Sequence, residues 1–125
     1  MNLEVKNILK NRKIVADSIF AVLTHRMCVR EALMSFPTVE EDRTLDAAWH
    51  ALVHYEADEE LRRRDPEYAQ TQDEYLEFLA FKLSNGENIP LNIIADYDEF
   101  YVESPTPKKN GAKNLWGIFR RILNI

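Results

Sequence analysis

Apolar residues recur at three- and four-residue steps along the first quarter of the chain: Ile8, Leu9, Val15, Ile19, Val22, Leu23, Met27, Val29 and Leu33. That is the period of a helix with one face turned to a core, and it predicts a first helical region over 3–35. Between Ile14 and Leu23 the apolar positions nearly encircle the axis, which places this stretch centrally in its bundle. Asn7 and Asn11 weaken the first turns and allow a short helix followed by a long one. Pro37 disfavours the helical region for Phe36 and ends the segment.

Thr38 and Glu41 have capping-box spacing, so a second helix is expected over 38–64. Leu45, Ala48, Trp49, Leu52 and Val53 form its buried stripe, and Arg62, Arg63 and Arg64 suit the negative end of its dipole. Asp65-Pro66 then reads as a cap followed by proline at the first helical position, opening a short turn over 66–69. Thr71 and Glu74 repeat the capping-box spacing. They predict a third helix whose apolar face carries Tyr75, Leu76, Phe78, Leu79 and Leu83, with Ser84-Asn85-Gly86 as its stop.

A fourth helix is expected over 88–102 from Ile89, Ile93, Ile94, Tyr97, Phe100 and Tyr101. Ser104-Pro105-Thr106-Pro107 cannot continue it, and 104–113 reads as a polar linker before a short last helix over 114–125. The predicted fold is thus all-α: an irregular bundle of four or five helices. Its spine is two long antiparallel helices joined at Phe36-Pro37, with a basic amphipathic helix appended at the C-terminal end. Residues 1–103 make the bundle domain. The last helix is expected to dock on that domain or on a second copy.

Composition adds to this picture through glycine and cysteine. Only three glycines occur in 125 residues, which suits helices better than a turn-rich sandwich. The single cysteine, Cys28, cannot form an internal disulfide and reads as a small buried hydrophobe within Met27-Cys28-Val29. With no disulfide framework, no signal peptide and no apolar run near bilayer length, a cytoplasmic location is expected.

Charge is partitioned along the chain. The formal net charge is −5, distributed as +3 over 1–36, −13 over 37–103 and +5 over 104–125. An acidic body disfavours nucleic acid as the partner of the whole domain. The basic tail can be drawn to that body or to an anionic surface elsewhere.

Four constellations are candidates for chemistry. Asp46, His50, His54 and Asp58 recur every four residues on the second helix, and two histidines one turn apart can share a zinc or iron ion. Alanines stand at 47 and 51, where the helical metalloprotease and di-iron patterns require glutamate. The plainer reading is a polar helix stripe, and no cofactor is expected. Glu56 falls on the core side of its helix and calls for a cation; Arg12 and Arg26 interrupt the seam of the first helix and are the expected partners. Asp96, Tyr97, Asp98, Glu99 and Tyr101 combine carboxylates with tyrosines, a composition suited to receiving a basic protein partner. In the tail, Gly117, Arg120, Arg121 and Asn124 share one narrow arc, and apolar side chains including Trp116 and Phe119 cover the rest. Such a helix can enter a protein groove or lie on a membrane surface.

No Gly-rich phosphate loop and no nucleophile–base arrangement is discernible. The leading expectation is therefore a non-enzymatic interaction protein: an adaptor, inhibitor or immunity-type factor that offers an acidic aromatic surface to a basic protein. The alternatives are a peripheral membrane or complex-tethering protein acting through residues 108–125, and a metal-binding helical protein using His50 and His54.

Overall fold

A computed structural model of the chain describes residues 2–38 and 42–90. Within them the chain is helical and without strands. It runs as α1 (Leu3–Leu23), α2 (Val29–Met34), α3 (Arg43–Ala57), α4 (Glu59–Arg64) and α5 (Pro66–Ser84). The expected helix over 88–102, the linker and the tail helix lie outside the described residues, apart from 88–90.

The all-α bundle stands, but its seams fall elsewhere than the periodicity alone suggests. α1 runs unbroken through Asn7 and Asn11 and stops at Leu23. The amide of His25 donates to the Val22 carbonyl at 3.1 Å and that of Arg26 to the Ala21 carbonyl at 2.8 Å. This is the paired pattern of a Schellman terminus, with His25 in the left-handed conformation at φ 61°. α5 ends in the same way: Gly86 donates to Leu83 and Glu87 to Lys82, with Gly86 at φ +74°. At Gly86 a side chain would also meet Leu9, whose Cδ2 lies 2.5 Å from where a Cβ would stand. Glycine announces the second terminus in the sequence. Histidine, which visits this conformation more readily than most residues, hides the first.

α2 opens on Cys28, which is exposed rather than buried. Its sulfur accepts from the Glu31 amide at 3.5 Å, and the Glu31 carboxylate accepts from the Cys28 amide at 3.4 Å. The thiol thus takes the place of the serine or threonine of a capping box. α3 begins at Arg43, five residues after Thr38, because Asp42 is its cap: the Asp42 carboxylate accepts from the Thr44 amide at 3.0 Å.

The expected long second helix is divided at Asp58, which ends α3 and precedes α4. Near this break the Arg62 guanidinium donates twice to the Tyr55 carbonyl, at 3.1 and 2.7 Å, and lies 3.5 Å from the centre of the Tyr55 ring. α5, conversely, is one helix from Pro66. Asp65 caps it by accepting from the Glu67 and Tyr68 amides, and Thr71 sits inside it, donating to the Glu67 carbonyl at 3.1 Å.

The two longest helices, α1 and α5, pack most extensively against each other and run in opposite directions, with Leu9 near Gly86 and Phe20 against Phe81. They form the long pair, in place of the first and second helices joined at Phe36-Pro37. Between them and α3 the core gathers Val15, Ile19, Leu33, Leu45, Trp49, Leu52, Leu76, Leu79 and Leu83, all fully buried. Trp49 is central as expected, meeting the Phe36 ring edge-to-face at 5.1 Å.

One buried polar node locks the end of the bundle. Arg12 donates through Nε and Nη2 to both carboxylate oxygens of Asp42, at 3.0 and 3.1 Å, and through Nη1 to the Gly86 carbonyl at 3.0 Å. Beside it the Ile89 amide donates to the Thr44 hydroxyl at 3.2 Å. Arg12 is therefore not the partner of Glu56. Glu56 lies half-buried with its Oε1 3.9 Å from Arg30 Nε, and Arg26 donates to the Thr24 hydroxyl instead.

Candidate functional site

At about 100° per residue, Glu67, Gln70, Glu74, Glu77, Phe78 and Phe81 fall on one arc of α5, opposite the buried Leu76, Leu79, Ala80 and Leu83. All six are exposed. Phe78 keeps 40% and Phe81 56% of their surface in water, together almost one whole phenylalanine. Phe81 is held in place from the side: its ring meets Phe20 of α1 edge-to-face, with centroids 6.0 Å apart. Gln70 donates to Glu74 at 3.0 Å, along the same arc. The cation at the border, Lys82, is 3.4 Å from Glu87 and 5.6 Å from the centre of the Phe78 ring. The outer face of α5 is thus a row of three carboxylates that leads to an aromatic pair near the C-terminal end of the helix.

Phe78 is a correction. It was expected on the apolar face with Leu76 and Leu79, yet it sits roughly 100° from Leu79 and 160° from Leu76 around the axis. That angle turns it away from the core. The exposure of Phe81 follows from the same count.

The histidine stripe on α3 is divided among different environments. Asp46 is buried, His50 half-buried, His54 exposed and Asp58 half-buried. From Asp46 to Asp58 the stripe extends about 18 Å along the axis, so one ion could be shared only by neighbours one turn apart. The His50 and His54 rings lie edge-to-face with centroids 4.8 Å apart, and His54 Nδ1 is 3.9 Å from Asp58 Oδ2. Asp58 also accepts a short hydrogen bond from the Tyr68 hydroxyl, which ties the end of α3 to α5. Among the described residues no three of His, Cys, Asp and Glu form a group able to hold a metal ion.

Burial, followed by the neighbouring His54, lowers the His50 pKa from 6.5 to about 4. The folded chain therefore binds this proton less readily than the unfolded chain, and acid favours unfolding. The stability tied to neutral His50 is complete above about pH 6.5 and is lost as the pH falls toward about 4. An NMR titration is expected to place His50 near 4. In His50→Gln, urea midpoints should decline less between pH 6.5 and 4 than in the wild type; parallel declines would exclude this linkage.

Tyr55 provides a second polar tie. Its hydroxyl donates to Asp73 at 2.6 Å, joining α3 to α5. Burial, then this carboxylate, pushes its pKa up to about 12, and Arg62 opposes the shift. This bond helps hold the two helices together.

The chain matches no protein family model, no characterised protein and no solved structure. No helix among the described residues is long and apolar enough to cross a membrane. The sequence-predicted surface of Asp96, Tyr97, Asp98, Glu99 and Tyr101, and the tail residues Trp116, Phe119, Arg120 and Arg121, lie outside the described residues. The α5 strip was not anticipated, although it has the same acidic and aromatic chemistry.

Proposed function

We propose that the chain is a non-enzymatic interaction protein, an adaptor, inhibitor or immunity-type factor, that receives a basic protein partner on an acidic aromatic surface. The observation that supports this most directly is the outer face of α5, where exposed Phe78 and Phe81 share one arc with Glu67, Glu74 and Glu77. Aromatic side chains supply large apolar contact area, and surrounding carboxylates steer a cationic partner and reject anionic ones. The free thiol of Cys28 suits a reducing, cytoplasmic setting.

The test is retention of a basic protein from the native host by the full chain, at low and at high salt. Phe78→Ser/Phe81→Ser and Glu74→Lys/Glu77→Lys are expected to lose the same protein that the wild type retains. High salt should weaken the wild-type complex, because exposed charges are screened within about 8–10 Å at physiological ionic strength. Neutralising Asp96, Asp98 and Glu99 tests the second acidic stretch separately. Retention indifferent to salt and to every one of these variants would remove the proposal.

A further inference from the structure

We infer that the outer face of α5 is a docking site for the chain's own residues 114–125, held there as a basic amphipathic helix. This rests on the same strip as the proposed function but needs no external partner.

Reach is the first argument. The described chain continues to Pro90, just past the C-terminal end of α5, where Ile89 is buried beside Thr44. The intervening 23 residues, 91–113, can extend to about 75 Å. α5 itself is only about 28 Å long, so every point on it can be reached. Twelve helical residues cover about 18 Å, close to the span from Glu67 to Phe81.

Charge is the second argument. Residues 104–125 carry five cations and no acidic side chain. The strip carries Glu67, Glu74 and Glu77, and Lys82 at its border already faces Glu87. Arg120 and Arg121 therefore have carboxylates to meet.

Shape is the third. The tail's apolar arc is wide, with Trp116 and Phe119 among its members, which suits burial against protein better than shallow insertion into lipid. Phe78 and Phe81 leave aromatic surface in water that part of this arc can cover. Tethering makes weak recognition sufficient. At an effective concentration of ~1 mM, a segment of intrinsic Kd ~0.1 mM is docked about nine-tenths of the time. A basic protein seeking the strip would first have to displace the tail, and its apparent affinity would fall about tenfold.

Trp116 reports the outcome on the purified full chain. Trp49 is fully buried and common to all variants, so subtracting the signal of Trp116→Phe isolates Trp116. Its acrylamide quenching is expected to be low in the wild type and several-fold higher in Glu74→Lys/Glu77→Lys and in Arg120→Glu/Arg121→Glu. Combining the two charge reversals should restore protection, a result that mere unfolding cannot give. Quenching equally high in the wild type and all variants would overturn the inference. So would protection that disappears on dilution, which would mean a second copy, or protection that arises only on adding anionic phosphatidylserine vesicles. Because no partner is present, this result is read independently of host-protein retention.

Discussion

Replacing Arg12 by alanine is expected to lower the stability of the bundle by about 3–5 kcal/mol, measured as a fall in the urea midpoint at unchanged slope. The guanidinium and the Asp42 carboxylate are both almost wholly buried, and their contact is bidentate. Removing one partner leaves the other charge in a medium that solvates it poorly. It also deprives the Gly86 carbonyl of a donor, and so loosens the turn that follows α5. The cost belongs mainly to the abandoned charge. Removing both charges while keeping the cap of α3, as in Arg12→Met/Asp42→Asn, should therefore recover most of the loss. An alanine variant within about 1 kcal/mol of the wild type would show that the pair behaves like a solvent-exposed one.

This node also explains where the sequence became hard to read. The alternation of apolar and polar residues revealed the helices and their buried faces, because burial repeats every turn and leaves the same mark many times. Trp49, Leu52, Leu76 and Leu83 are buried as that pattern requires. Boundaries are set once each, by single interactions. Asp42 starts α3 because it can satisfy Thr44 and Arg12 together. Thr38 had suitable spacing for a cap, but spacing does not reveal a partner thirty positions away. His25 ends α1 with no glycine to announce it, and Cys28 caps α2 in place of serine or threonine.

The α5 strip is not legible in the sequence for a related reason. The acidic, tyrosine-bearing stretch that the sequence offers as a partner surface is 96–101, outside the described residues, whereas the α5 face combines carboxylates with phenylalanines. Its location was obscured because Phe78 and Phe81 lie in a run of apolar residues, where hydrophobicity alone suggests burial. Only their angle about the helix axis separates them from Leu76, Leu79 and Leu83. Phe81, whose ring meets that of Phe20 edge-to-face, keeps more than half of its surface in water and so contributes little to the core.

Trp49 should show the opposite behaviour, with a large loss on truncation and a small one on a closely related change. Its side chain is fully buried in the core, against Phe36. Trp49→Ala is expected to cost about 3–5 kcal/mol through lost burial and the cavity left behind. Yet the indole Nε1–H is the one buried side-chain donor among the described residues without an acceptor. An orphaned donor of this kind costs about 1–3 kcal/mol. Phenylalanine keeps most of the aromatic contact and removes that penalty, so Trp49→Phe should stay within about 1 kcal/mol of the wild type. Unfolding followed by far-ultraviolet circular dichroism makes the comparison without relying on the residue being replaced. If phenylalanine were as damaging as alanine, the indole N–H would have to be satisfied in solution, and the packing around Phe36 would need a different account.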